Sequence, residues 1–173
     1  MTAYSKLYIN DAKQNLGDMI DYAVNDLNLE PDNFFDLFIF SKIAKQFEKG
    51  NPKYLAGMSG YELVQAVLKK SKVNCIIKEP SYRFEKSKEY WAGWILAHYQ
   101  RQTGQSFEEI VRCGLKLTEV ISMYILHEAD VSKFTETANE IIRKNRLLQK
   151  TVFEQIKQGL NEAIEYESEK HGG

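Results

Sequence analysis

The sequence predicts an all-α protein: a single-domain orthogonal bundle of six or seven helices with a long C-terminal helix. Hydrophobic residues recur three or four positions apart along most of the 173-residue chain, which is the spacing of a helix face. Capping boxes of the form Ser-x-x-Glu occur at Ser59 to Glu62 and at Ser106 to Glu109. With 43% hydrophobic and 27% charged residues and only three prolines, the composition is that of an ordinary helical domain.

The composition and net charge of the chain limit the classes of function that we expect for it. The 23 basic and 24 acidic side chains give a net charge of −1, so no overall field draws the chain to nucleic acid or to an anionic membrane. Cys75 and Cys113 match no metal-ligand spacing and suggest reduced thiols. The chain shows neither the apolar region of a signal peptide nor a run near the ~20 apolar residues of a membrane span. We therefore expect a cytoplasmic protein.

The first half of the chain predicts three helices and a loop. The first helix is expected from Asn10 to Leu27 with an acidic outer face, and the second from Pro31 to Gly50, apolar on nearly all sides in its first half. The third follows Ser59 to about Lys70. Residues 71–86 are expected to form a loop, with one short strand at 73–77 as an alternative. Seven basic residues lie between positions 69 and 88, interpreted first as a solvated face and alternatively as a phosphate or nucleic-acid contact.

A fourth helix, residues 88–104, is expected at the centre of a globular domain spanning residues 1–129. On this helix Trp91, Trp94 and His98 share one face, together with Ile95. Aromatic residues at this spacing usually pack a core, and the alternative is a box in which a ligand stacks on the indole rings.

Residues 106–126 loosely imitate a helix-turn-helix, with a glycine turn at Gly114 and a second helix capped by Thr118. A DNA-binding regulator is therefore one alternative function. The second helix, however, carries Glu119, Ser122 and Met123 but no lysine or arginine, and DNA contacts draw heavily on cations.

The histidines supply a second alternative, a metal-binding or enzymatic protein. A two-histidine, one-carboxylate site would form if the turn before Asp130 brought His98 and His127 together with Glu128 or Asp130. The favoured interpretation makes His127 a polar corner residue and Asp130 the N-cap of the last helix. The sequence holds no nucleophile elbow, glycine-rich phosphate loop or Cys-His signature, so we assign no catalytic residue, metal ligand or cofactor.

One periodic pattern spans residues 130–168 and predicts a single long helix, with residues 169–173 expected to be a disordered tail. The sequence allows this helix either to project from the globule or to fold back along it. Asn145 lies on the seam, where an asparagine can determine the register of a coiled coil. The predicted partner-binding residues are Phe134, Ile141, Leu148, Val152, Ile156 and Leu160.

Five stretches carry a resemblance to a known family. They are Asp21-Tyr-Ala-Val-Asn-Asp26, Phe47-Glu-Lys-Gly-Asn-Pro-Lys-Tyr54, Ala56-Gly-Met-Ser-Gly60, Tyr90-Trp-Ala-Gly-Trp94 and Leu126-His-Glu-Ala-Asp-Val-Ser-Lys-Phe134. Between about Tyr8 and Phe134 the chain resembles an uncharacterised family of small proteins from gut and rumen Firmicutes. Genes of that family tend to lie beside genes for ADP-ribosyltransferase-like toxins. The resemblance implies an antitoxin or accessory role and supplies no catalytic residues.

These observations together predict a non-enzymatic protein-interaction module, most concretely a neutraliser of a neighbouring toxin. Helix-in-groove binding uses apolar anchors three, four and seven residues apart, and residues 134–163 contain such anchors. The expected partner is therefore the toxin or, through self-association of the C-terminal helix, a second copy. The acidic first helix is a further candidate, since it could complement a cationic nucleotide cleft.

Overall fold

The computed structural model describes residues 6–172 and confirms the all-α helical bundle with a long C-terminal helix. Within that range nine α-helices and no strand are formed. The α-helices are α1 (Ile9–Asp21), α2 (Pro31–Phe40), α3 (Ile43–Glu48), α4 (Pro52–Leu55), α5 (Gly60–Lys70), α6 (Lys88–Thr103), α7 (Phe107–Arg112), α8 (Leu117–Ser122) and α9 (Val131–His171). A π-helical turn, Tyr22–Asp26, continues α1, and 3₁₀ turns occupy Lys6–Tyr8 and Tyr124–Glu128.

There are more helices than the six or seven predicted because the second predicted helix is broken into α2 and α3, and because a short helix, α4, forms where a turn was expected after Asn51. Lys42 adopts a left-handed conformation with φ of 66°, and the Ser41 hydroxyl donates to the Phe38 carbonyl at 2.8 Å. A straight helix presents only one side to the core, so a segment that is apolar on nearly all sides would leave part of its apolar surface exposed to solvent. The break turns α3 so that Ile43 and Phe47 become fully buried beside Phe38.

A second difference lies after α7. Thr118 is not the N-cap of the next helix, because the N-cap lies two residues earlier, at Lys116, and the helix begins at Leu117. The Thr118 hydroxyl instead donates to the Asp32 carboxylate at 2.6 Å, and its backbone N–H donates to the same side chain at 2.9 Å. The Asp32 side chain at the start of α2 therefore holds the start of α8.

Helices α1 and α6 cross at the centre of the bundle. Glycines at the crossing allow their backbones to approach closely. A Cβ added at Gly17 would lie 2.8 Å from the Tyr90 ring, and one added at Gly93 would lie 2.9 Å from the Gly17 Cα atom. The two backbones therefore approach more closely than any side chain at these positions allows. Buried residues of α6, among them Ile95, Leu96 and Tyr99, complete the core around this crossing.

Aromatic rings fill the rest of the core. Phe35, Phe38, Phe47 and Phe107 are at most 1% exposed, and their ring centroids lie 5.5 to 6.3 Å apart in tilted or edge-to-face arrangements. Such geometry matches the preference of aromatic quadrupoles. These rings hold α2, α3 and α7 together.

Residues 71–87 form a connection without helix or strand, so the alternative of a strand at 73–77 is not realised. The connection is held against α1 and its π-turn by side chains. Arg83 donates to Asp21 at 2.8 Å and to Asp26 at 3.0 Å, and the Tyr22 hydroxyl donates to the Lys78 carbonyl at 2.6 Å.

The last helix, α9, begins at the predicted N-cap, Asp130, whose carboxylate accepts from the Ser132 N–H at 2.8 Å. The helix runs on to His171, three residues beyond the expected end at about residue 168. Residues 169–171 are therefore helical and not a disordered tail, while Gly173 lies outside the described range. Every residue from 150 to 172 is exposed.

Candidate functional site

The aromatic face of α6 forms one wall of a groove. Trp91 packs edge-on against Tyr124 and Phe134, each at a centroid distance of 5.8 Å, and Phe134 in turn packs against Tyr99 at 6.0 Å. Trp91 and Trp94 are half-buried, whereas Phe134 is 1% exposed. The aromatic helix is thus both a core element and the lining of a surface depression.

This aromatic groove has a volume of about 290 Å³. Residues of α6 form one side and the segment from Tyr124 to Phe134 the other; the lining consists of Lys86, Ser87, Tyr90, Trp91, Trp94, Ile95, Tyr124, Leu126, His127, Ala129, Val131 and Phe134. The walls are mainly apolar, with Lys86 and His127 as the groups that can carry charge. Such a surface can accept a flat apolar group.

His98 lies outside the groove, and its ring contacts neighbouring side chains. Its ring stacks on Trp94 at a centroid distance of 6.1 Å, and the Lys13 ammonium lies 4.4 Å from the Trp94 ring centroid. Burial lowers the pKa of His98, and the positive charges of Lys13 and Arg101 lower it further. These influences favour the neutral imidazole, whose ring packs against Trp94.

His127, Glu128 and Asp130 do not converge with His98 on an ion. His127 stacks on Tyr124 at a centroid distance of 4.1 Å and its Nδ1 lies 2.6 Å from the Tyr124 carbonyl. Its Nε2 lies 3.9 Å from the carboxylate of Glu128, whose side chain is largely exposed. Hydrogen bonds from Ser132 to its carboxylate lower the pKa of Asp130 and hold it as a helix cap. Within residues 6–172 no three histidine, cysteine, aspartate or glutamate side chains cluster as a metal site requires.

Acidic side chains of the first helix and its π-turn form ion pairs with basic side chains of the loop at residues 71–87. Lys86 pairs with Asp18 at 3.3 Å, and Arg83 pairs with Asp21 and with Asp26, whose side chain is 4% exposed. Burial by itself raises the pKa of Asp26, but hydrogen bonds from Arg83 and Ser81 outweigh it and leave the pKa below its ordinary value. These aspartates therefore stabilise the loop, and they leave little acidity to offer to a cationic cleft.

The same pairs use two of the seven cations of the basic stretch. In the helix-turn-helix candidate, the buried residues Phe107, Ile110, Leu117 and Val120 form core, and the exposed positions of α8 are Thr118, Glu119 and Ser122. The exposed positions within α8 thus carry no cation, and the exposed cation at its start is the N-cap, Lys116, so the helix offers few of the cations that DNA contacts require.

The six predicted partner-binding residues on α9 divide into two groups. Phe134 is 1% exposed and Ile141 is half-buried against the core, so including Phe134 in a partner surface was wrong. Its aromatic contacts to Trp91 and Tyr99 explain why: the first turns of α9 complete the domain. Leu148, Val152, Ile156 and Leu160 are 52 to 60% exposed.

Sequence reasoning missed three exposed neighbours on the same face. Phe153, Ile164 and Tyr166 are 64, 66 and 65% exposed, and at 100° per residue they fall within one arc of about 160° with the other four. Their helical phase could have identified them. We call the six of these residues that carry no polar group, Leu148, Val152, Phe153, Ile156, Leu160 and Ile164, the tail stripe.

The last contacts between α9 and the globule are polar. Asn145 Nδ2 donates to the Cys113 carbonyl at 2.8 Å, Arg146 pairs with Glu109 at 2.6 Å, and Gln149 Nε2 donates to the Arg112 carbonyl at 3.1 Å. Beyond Gln149 the side-chain hydrogen bonds of the described chain stay within the helix, as between Gln158 and Glu162. The helix therefore extends from the globule for 22 residues, Lys150 to His171, or about 33 Å.

The tail stripe continues the face that α9 uses inside the bundle. Phe134, Ala138 and Ile142, the buried residues of α9, fall within the same arc of the helix as the stripe. Within the extension, residues 150–157 hold two lysines and one glutamate, and residues 158–171 hold four glutamates, one lysine and one histidine. The extension is thus apolar on one face and carries both acidic and basic side chains along its length.

Searches against models of protein families, curated proteins and solved structures found no match to this chain. No helix within residues 6–172 is long and apolar enough to cross a membrane. The fold and its surface define a class of protein: an all-α bundle with a projecting amphipathic C-terminal helix.

Proposed function

We propose that the protein is a non-enzymatic protein-interaction module that associates through the tail stripe. One observation carries this proposal: six large apolar side chains on one face of α9, five of them beyond Gln149, are 52 to 66% exposed. Single exposed apolar residues are ordinary, but an aligned row of them is typical of a surface that becomes covered by a partner.

The shape of the extension supports the same conclusion. An isolated helix gains little stability from its own hydrogen bonds, so a 22-residue extension normally relies on packing of its apolar face. A helix of this kind binds by placing apolar anchors in a groove or against a second helix.

The partner that the family resemblance implies is an ADP-ribosyltransferase-like toxin encoded by a neighbouring gene. A neutralising protein requires a stable body and an extended element that can cover the toxin's cleft. The bundle and the tail stripe would serve these two roles, while the resemblance itself is the sole support for the choice of toxin.

Co-expression with the product of the adjacent gene, followed by pull-down, tests this function. We expect the wild-type chain to retain the toxin and relieve its growth inhibition, and Leu160→Glu to lose both. Asn161→Glu is the matched control, since it adds the same charge one residue away on the polar face. Retention by Leu160→Glu equal to that of wild type would refute the role of the stripe, and absence of binding by the wild type would refute the toxin assignment.

A further inference from the structure

We propose that the aromatic groove is a binding site for a small aromatic acid, a compound with one ring or two fused rings and a carboxylate on a short arm. The site shares no residue with the tail stripe, so it can hold its ligand whether or not the stripe is covered. Three properties of the groove point to this class of ligand: its size, the cations already placed on its rings, and the sign of the charges in its lining.

The size of the groove suits a small molecule. Ligand sites in proteins commonly have volumes of about 300–1,000 Å³, and the aromatic groove, at about 290 Å³, lies at the lower end of that range. A single turn of helix, about 10 Å across and 5.4 Å long, would already need more space. The lining reaches Phe134, which is 1% exposed, so a ring inserted here is covered by side chains of the core.

Two of the rings in the groove already carry a lysine. The Nζ atom of Lys86 lies 4.1 Å from the centroid of the Tyr90 ring. On Trp94, the Nζ atom of Lys13 lies 4.4 Å from the ring centroid. Aromatic cages bind ammonium ligands through the same attraction between a cation and a ring face. A cationic ligand in this groove would meet one of these two positive charges, and the groove therefore disfavours amines.

The charged groups in the lining favour an acid. Within the described chain the groove is lined by two side chains that can carry positive charge, Lys86 and His127, and by no carboxylate. Complementary charge across a binding surface favours a ligand of the opposite sign. A ligand that brings a carboxylate into the groove supplies that charge, whereas a neutral ring does not.

The carboxylates nearest to these basic groups leave them able to bind a ligand. Asp18 pairs with Lys86 at 3.3 Å, and the Glu128 carboxylate lies 3.9 Å from His127. The Asp18 and Glu128 side chains are 42 and 85% exposed, so water weakens both interactions. The Lys86 ammonium has further N–H donors besides the one that Asp18 accepts. Since Lys86 directly precedes the N-cap of α6, the carboxylate of the ligand is placed at that end of the groove and its ring towards Trp91.

Three compounds with the same phenyl ring on an arm of the same length test the site: phenylpropionate ends in a carboxylate, phenylpropanol in a hydroxyl and phenylpropylamine in an ammonium. Both tryptophans of the chain line the groove, so their indole N–H resonances report binding to it in the intact protein. We expect phenylpropionate to shift both resonances at concentrations up to about 10 mM and to bind at least about tenfold more tightly than phenylpropylamine. No shift with phenylpropionate, or equal or tighter binding of the amine, would overturn the proposal.

Removal of one lysine charge tests the position of the carboxylate. Lys86→Met should weaken the binding of phenylpropionate about tenfold and leave that of phenylpropanol within about twofold, because only the acid pairs with the ammonium. Lys78→Met is the matched control, since it removes the same charge from an exposed position of the same loop that does not line the groove. Equal losses in the two variants, or unchanged binding of phenylpropionate by Lys86→Met, would overturn the assignment of an acid.

Filling the groove tests the location of the ligand. Ala129→Phe adds a ring to the lining and should abolish binding of all three compounds, with thermal melting unchanged because Ala129 is exposed. Leu160→Glu, on the tail stripe, should bind phenylpropionate as the wild type does. In the wild-type complex we expect nuclear Overhauser effects between the phenyl protons and the indole rings. Their absence, or wild-type affinity in Ala129→Phe, would place the compound elsewhere and overturn the proposal.

Discussion

At the scale of single residues, Arg83 determines how the long connection between α5 and α6 is held. Its guanidinium reaches two carboxylates, Asp21 and Asp26, and Ser81 donates a backbone hydrogen bond to Asp26. The Asp26 side chain is almost inaccessible, so its charge depends on these donors. Lys86 of the same loop makes a contrasting pair with Asp18, in which both side chains remain largely exposed.

We therefore predict that Arg83→Ala lowers the free energy of unfolding by about 1.5–3 kcal/mol, because it leaves the buried Asp26 carboxylate without its cationic partner. Lys86→Ala serves as the control and should change stability by no more than about 1 kcal/mol. Urea denaturation followed by circular dichroism measures both, and hydrogen exchange should show faster opening of residues 71–87 in the arginine variant alone. Equal effects of the two substitutions would contradict this account.

At the scale of the element, α9 is one continuous helix with two roles. Its first turns bury Phe134, Ala138 and Ile142 in the domain, and its last turns carry the same apolar face into solvent. Hydrophobic periodicity is identical in the two halves because the helix geometry is the same. What differs is whether another part of the chain covers that face.

Two phenylalanines of this helix separate the roles. We predict that Phe134→Ala lowers the free energy of unfolding by about 3–5 kcal/mol through the cavity it leaves beside Trp91 and Tyr99. Phe153→Ala should leave the unfolding free energy of the bundle within about 0.5 kcal/mol, since its ring packs against no core residue. Chemical denaturation at low protein concentration, where association is minimal, provides the comparison. A large loss of stability in the Phe153 variant under those conditions would show that the extension packs on its own domain.

At the scale of the whole molecule, the protein is a packed bundle and an appended helix that meet at Gln149. The core rings of α2, α3 and α7 and the close crossing of α1 and α6 require nothing from residues 150–172. The polar bonds of Asn145, Arg146 and Gln149 to α7 and the residue that follows it end the contact.

Deleting residues 150–173 should consequently leave the bundle folded, with a melting temperature within about 2 °C of the full chain measured at low concentration. Ending the chain at Ala129 instead should abolish cooperative melting, because it removes Phe134, Ala138 and Ile142 from the core. Thermal melts of the two truncations make the comparison. Loss of cooperative melting after removal of 150–173 would mean that the extension is part of the fold.

Sequence patterns predicted the elements whose signals are local. The capping box at Ser59 forms as predicted, with the Ser59 N–H donating to Glu62 at 2.8 Å and the Glu62 N–H donating to the Ser59 hydroxyl at 3.2 Å. The helix containing Trp91 and Trp94 and the start of α9 at Asp130 also agree with the prediction. These features depend on hydrogen bonds within a few residues, which the sequence specifies directly.

The break at Lys42 and the role of Thr118 were not predictable in the same way, because each depends on distant parts of the chain. The roles of His98 and His127 likewise depend on the tertiary structure, which places the ring of Trp94 beside His98 and the ring of Tyr124 beside His127. By itself the sequence determined an all-α protein with a long amphipathic last helix, since helical periodicity is a local property. The tertiary structure alone decided that Phe134 belongs to the core and that Leu148 to Ile164 stay uncovered. Burial depends on which surfaces the rest of the fold brings within reach, and the globule of this protein ends its contact with α9 at Gln149.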